Sequence, residues 1–223
     1  MSERTAGGSA AAREPVNGWL HFGGAVLAAV GLVVLVAQAA ERGTVRHTVG
    51  ASVFGLSAVL LFAASALYHI ARHSRRQALY RRLDHAMIFV FIAGTYTPVC
   101  LVALDDTPFG APFLAGVWGV AALGVAQKLL WRDAPRGVST AIYLALGWLG
   151  LLSGPHLLRI APPLFWWILT GGVLYTVGAL FYSARWPRGR PGVFGFHELW
   201  HVFVLAASAS HYWAVLAYVV PLG

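Results

Sequence analysis

Residues 48–71 read TVGASVFGLSAVLLFAASALYHIA, a run without a single Lys, Arg, Asp or Glu that ends at Arg72. As a helix rising 1.5 Å per residue it extends roughly 36 Å, enough to cross a hydrocarbon core of roughly 30 Å. Six further apolar stretches follow the same pattern: 18–40, 83–104, 110–131, 137–155, 162–184 and 195–220. In lipid every backbone N–H and C=O must find a partner inside the spanning structure, which leaves helices or closed barrels. These runs are too long and too continuously apolar for the alternating strands of a barrel. The expected fold is therefore all-α, a bundle of seven transmembrane helices. Residues 17–223 form its single integral membrane domain, and the connections are too short for a soluble one. Residues 1–16, rich in Ala, Gly, Ser and charge, read as a disordered cytoplasmic tail.

Composition agrees. Of the 223 residues 58% are hydrophobic and 11% charged, where a soluble domain carries roughly 25% charged residues. The net charge of +8 raises nucleic acid as a partner, but its placement argues against it. Thirteen of the 16 basic residues fall in the tail, in the second and sixth connections and around the fourth, among them Arg72, Arg75, Arg76, Arg81, Arg82, Lys128, Arg185 and Arg190. Only Arg42, Arg46 and Arg159 belong to connections one, three and five. The bias of basic residues toward the cytoplasm puts the amino terminus inside and the carboxyl terminus outside. The arginine clusters also suit anionic lipid headgroups. Ala37-Gln38-Ala39 has the form of a signal-peptide cleavage site, yet the apolar run before it is too long for a signal core, and a retained helix is expected. The single cysteine, Cys100, excludes an internal disulfide and a cysteine-based metal site, and reads as a packing residue.

Several smaller features follow from residue type. Gly23, Gly24, Gly119, Gly124, Gly171, Gly172 and Gly178 are expected to let helices approach closely. Pro98 should bend the third helix and free carbonyls there. Trp19, Trp131 and Trp186, near helix ends, suit interfacial anchors. No internal repeat signals a transporter built from inverted halves.

With this topology, polar residues from three segments converge on one level. Ser65 and His69 end the second segment, Asp84 begins the third, and His197 and His201 begin the seventh. Ionisable groups at membrane depth are costly and mark functional sites. His197 and His201, four apart, stack on one helical face, as do Ser65 and His69. Two such imidazoles plus His69 make a three-nitrogen set suited to Zn²⁺, leaving a fourth position for water. A zinc-held water ionises near neutral pH, and Asp84 is placed to take its proton. Ser65 has a competing role, bonding its own helix backbone.

The segment His197-Glu198-Leu199-Trp200-His201 also matches H-E-x-x-H, in which Glu198 would be the general base of a metalloprotease. Intramembrane proteases of the site-2 type add an aspartate in an L-D-G context. Here His85 replaces that glycine after Leu83-Asp84, and pairing of Glu198 with an arginine of the cytoplasmic rim competes. His21 is expected to line the cavity or bond Asp84. His211, ten residues beyond His201, lies too deep to share the ion, and His85 points away from Asp84. His47, His73 and His156 are expected to be solvated at helix ends.

Taken together, Asn17…His21, Ser65-Ala66-Leu67-Tyr68-His69, Leu83-Asp84-His85 leading to Gly94-Thr95-Tyr96-Thr97-Pro98, and His197-Glu198-Leu199-Trp200-His201 through His211 resemble the hemolysin III family. That family is the bacterial branch of the progestin and adipoQ receptors, in a superfamily that includes alkaline ceramidases. The resemblance spans residues 15–220. It implies zinc held by His69, His197 and His201 on the cytoplasmic side, with Asp84 and Ser65 beside the bound water. It also implies hydrolysis of an amide-linked lipid such as a ceramide, in a bacterial cell membrane. Glu198 is not required by the eukaryotic branch, which weakens the protease reading. The reading adopted is a zinc-dependent lipid amidohydrolase with Asp84 and Ser65 catalytic. The alternatives are a pore-forming cytolysin with structural zinc, an intramembrane zinc metalloprotease, and a non-enzymatic lipid sensor.

Overall fold

The computed structural model describes residues 15–71, 74–131, 136–189 and 194–222. They form helices α1 (Pro15–Arg42), α2 (Val45–Ile70), α3 (Gln77–Pro98), α4 (Gly110–Leu130), α5 (Arg136–Trp148), α6 (Gly154–Ile160), α7 (Pro162–Ala184) and α8 (Phe196–Tyr218). A π-helical turn, Val99–Ala103, prolongs α3, and a 3₁₀ turn, Leu149–Ser153, joins α5 to α6. Among the described residues seven helices are long and apolar enough to cross a membrane, α5 and α6 together making the fifth. The expected tail lies almost wholly outside the described residues.

Two boundaries depart from expectation for physical reasons. Helix α3 starts at Gln77, six residues before its apolar run, so Arg81 and Arg82 belong to the helix and Asp84 lies two turns inside it. Gln, Ala, Leu and Arg are good helix formers, and helix propensity carries on where hydropathy stops. The fifth span is not one smooth helix. Gly147, Gly150 and Gly154-Pro155 break its ladder into the 3₁₀ turn. The Tyr96 hydroxyl lies 2.6 Å from the Gly147 carbonyl and 2.8 Å from that of Leu146, and donates where the ladder loosens.

The helices close a ring. Helix α1 packs on α2, α2 on α3, α3 on α5, α5 on α7, α7 on α8 and α8 on α1, while α4 rests against α3 and α5. Spans two and three are the most enclosed, and Phe54, Phe62, Phe89 and Phe91 fill the core between them and their neighbours. Large apolar side chains point outward elsewhere, such as Leu27 (72% exposed), Leu123 (73%) and Leu130 (81%), a surface suited to lipid rather than water. Trp19, Trp131 and Trp186 are exposed near helix ends, as anchors require.

Small residues set several helix contacts. An added Cβ would meet Phe62 and Leu205 at Gly24, Phe89 at Gly124, His211 at Gly171, and Phe203 at Gly178. The expectation fails at Gly23, Gly119 and Gly172, where nothing lies within 4 Å. Those three face away from neighbouring helices. Pro98 lies where α3 gives way to the π turn, and its Cα would be 2.8 Å from a Cβ at Gly50. Proline supplies no N–H to the helical ladder, and the wider turn accommodates the gap. Cys100 is buried in that turn, as a packing residue should be.

Two histidines expected in solvent are not there. His47 Nδ1 accepts from the Thr44 N–H at 3.1 Å, so its Nε2–H donates to the Leu222 carbonyl at 2.6 Å. The residue closes a capping box at the start of α2 and ties down the chain after α8. His156 stacks on Phe109, ring centroids 5.3 Å apart. An imidazole has an apolar face, and helix-end position alone does not predict its exposure. His73 lies outside the described residues.

Candidate metal centre

The last turn of α2 and the first two turns of α8 bring three imidazoles together. Ring centroids are 5.1 Å apart for His69 and His197, 4.9 Å for His69 and His201, and 4.9 Å for His197 and His201. One nitrogen from each lies within 4.8 Å of the other two. Ligands of a tetrahedral ion with bonds of about 2.1 Å stand roughly 3.4 Å apart, so the set is within reach of a single cation. His69 and His201 are buried. The Nε2 of His201 is buried without a hydrogen-bond partner, an arrangement that costs free energy unless something else occupies its lone pair. A metal ion would do so, and the donor set fits one.

Helix α3 adds a carboxylate beside the triad. The Ser65 hydroxyl lies within reach of the Asp84 carboxylate, which in turn lies within electrostatic reach of His69 and His197. Ser65 therefore faces the site rather than only its own backbone. Its side chain is buried, whereas that of Asp84 stays 14% exposed. The Asp84 Oδ2 is also 3.5 Å from His85 Nδ1. This corrects the expectation that His85 points away: helical side chains lean toward the preceding turn, and His85 Nδ1–H donates to the Arg81 carbonyl at 2.6 Å. From α5, the Tyr143 hydroxyl donates to the His85 carbonyl at 2.8 Å.

Two other expectations change. Glu198 is buried, with Oε1 accepting from Asn17 Nδ2 at 3.1 Å and Oε2 from the Gly195 N–H at 2.8 Å. It caps its own helix and holds α1, rather than meeting a rim arginine. The N-terminal position of Glu198 explains this, since the first-turn N–H groups of a helix lack intrahelical partners. His21 does not bond Asp84; its Nε2 is 2.6 Å from His201 Nδ1. His211 is separate from the triad, as its depth implied. Its Nε2–H donates to the Ile168 carbonyl at 3.1 Å, beside Tyr175. The sequence reading missed the Asn17–Glu198 and His21–His201 pairs. The only signal for them was a spacing of about one turn on each helix, four residues from 17 to 21 and three from 198 to 201.

Comparisons with known proteins place the chain in a family. The family model described as Haemolysin-III related matches residues 9–212. The chain is 35% identical over 209 residues to a "Hemolysin-3" of Bacillus cereus, covering 93% of this chain and 92% of that protein. It is 35% identical over 208 residues to a "Hemolysin-3 homolog" of Bacillus subtilis (strain 168), covering 93% and 94%. A rice protein, "Heptahelical transmembrane protein ADIPOR2", is 31% identical over 188 residues, covering 73% and 79%. The seven spans and the extent of these matches make the chain an integral membrane protein that belongs to the haemolysin-III-related family.

Proposed function

We propose that the protein is a zinc-dependent hydrolase of an amide-linked membrane lipid, acting at the cytoplasmic side of a bacterial inner membrane. The observation that carries this reading is the pairing of a three-nitrogen cluster with Asp84 and Ser65 close beside it. His69, His197 and His201 would hold the ion, whose chemistry is to acidify water and polarise a carbonyl. Asp84 accepts the proton of the attacking water at a carboxylate oxygen, and Ser65 Oγ–H holds that carboxylate in place. The water oxygen adds to the amide carbonyl carbon, the C–N bond breaks, and Asp84 returns its proton to the departing amine. A fatty acid and a lipid amine result. Arg75, Arg76 and Arg81, exposed at the same end of the bundle, suit anionic headgroups around the substrate. The amide specificity rests on the resemblance to the superfamily that includes ceramidases.

Purified protein tests the proposal through metal content and lipid-amide turnover measured together. His201→Ala should lose zinc. Asp84→Asn should keep the metal and lose turnover by at least roughly a hundredfold, the usual scale for a general base. An unchanged rate in the Asp84 variant removes the mechanism. The relatives named hemolysin-3 favour a second reading, a pore-forming cytolysin in which zinc is structural. Conductance in planar bilayers that survives His201→Ala, without amide turnover, would select it.

A further inference from the structure

Helix α1 touches both helices that carry the histidine triad. At Gly18 an added Cβ would meet Ile70 Cγ1 at 2.8 Å and His69 Cβ at 3.5 Å, so α1 presses directly on the end of α2. On its other flank Asn17 and His21, one turn apart, meet Glu198 and His201, also one turn apart on α8. His21 is buried. Its ring stands edge-on to Phe62, centroids 5.2 Å apart, and edge-on to His201 at 3.9 Å. These contacts leave the ring little freedom to turn.

The short contact runs from His201 Nδ1 to His21 Nε2, 2.6 Å, while His201 Nε2 is buried without a hydrogen-bond partner. Two tautomers satisfy such a contact. If His21 donates, His201 carries its own proton on Nε2, which cannot ligate and has no acceptor. If His201 donates, Nε2 is a bare lone pair, the form an imidazole needs to bind a cation. Histidines that ligate metals commonly donate their other ring N–H to a fixed acceptor, which sets ring orientation and raises ligand basicity.

We infer that His21 is the positioning residue of the metal centre: it accepts the Nδ1–H of His201 and so presents the His201 Nε2 lone pair to the cation. This rests on the reading of His69, His197 and His201 as metal ligands, but not on the reaction. The neighbouring Asn17–Glu198 bond keeps α1 and α8 in the register that lets the two imidazoles meet. The acceptor here is a second imidazole, where carboxylates and carbonyls are more usual.

The test is zinc affinity of the full-length protein, stripped with a chelator and titrated against a competing zinc indicator. His21→Phe keeps an aromatic ring against Phe62 and removes the acceptor; it should weaken zinc binding tenfold to a hundredfold. His21→Gln keeps an amide oxygen able to accept and should stay within about threefold of wild type, since the hydrogen bond survives. Unfolding of the zinc-free proteins checks that the variants fold; if His21→Phe does not, His21→Leu takes its place against the Gln variant. Wild-type affinity in the Phe variant overturns the inference. Equal losses in Phe and Gln also overturn it, because they would mark a packing role. A wild type that binds no zinc overturns this inference and the metal reading together. Zinc binding without lipid-amide turnover sinks only the hydrolase, and leaves the role of His21 to be decided by the same affinities.

Discussion

Ser65 sits one helical turn before His69, so a single face of α2 carries a candidate ligand and the hydroxyl that reaches Asp84. A hydrogen bond to a charged group contributes about 1.5–3 kcal/mol. If Ser65 holds Asp84 in its working orientation, Ser65→Ala should lower turnover roughly tenfold to a hundredfold at unchanged zinc content. Rate and metal stoichiometry on the same preparation check this, and loss of zinc would instead make Ser65 part of the binding set. At this scale the sequence was legible wherever the spacing was local. The pairs 65/69 and 197/201 follow from helical periodicity alone, and the level of Asp84 from segment order. The partner of His21 was not legible, because facing residues on α1 and α8 depend on how each helix is rotated about its axis. Glu198 misled for a related reason: a five-residue motif names residue types, while the open N–H groups of a helix start compete for the same carboxylate.

Pairs of helices turn these local choices into geometry. Glu198 joins the start of α8 to Asn17 of α1, and the same carboxylate caps Gly195. Glu198→Ala removes both bonds. A lost cap costs about 1 kcal/mol, and removing the buried acceptor of Asn17 adds about 1–3 kcal/mol. Glu198→Gln keeps a carbonyl oxygen for one of them and should lose less than about half as much. Unfolding of the two variants in detergent checks the order. The Gln variant should also retain zinc and most of its turnover, since Glu198 is occupied structurally. Loss of turnover with zinc intact would restore Glu198 as a general base. Span positions were readable because hydropathy marks where lipid begins. Where helices end was less so, as α3 shows, because the arginines that leave the apolar core still favour helical backbone. The 3₁₀ turn in the fifth span had its glycines in view, but the Tyr96 hydroxyl that serves its carbonyls comes from a helix elsewhere in the chain.

Across the whole molecule, the order of packing closes the first span against the last, with α1 lying between the ligand-bearing ends of α2 and α8. Interior apolar packing alone gives little preference for one helix order in lipid, since lipid tails are as apolar as leucine. That is why hydropathy yields seven spans without their arrangement, and why the polar residues were the better guide to which helices meet. A cation held by His69 of α2 with His197 and His201 of α8 would join the second and seventh spans. An ion that binds only the folded state stabilises it by mass action, about 2.7 kcal/mol at a free concentration one hundred times its Kd. Chelation should therefore lower the thermal midpoint of the wild type, and restored zinc should return it. His201→Ala should start from the lower midpoint and respond to neither treatment. Scans with and without chelator on both proteins make the comparison. A wild-type midpoint indifferent to chelator, at full initial zinc content, would mean that the ion does not join the two spans.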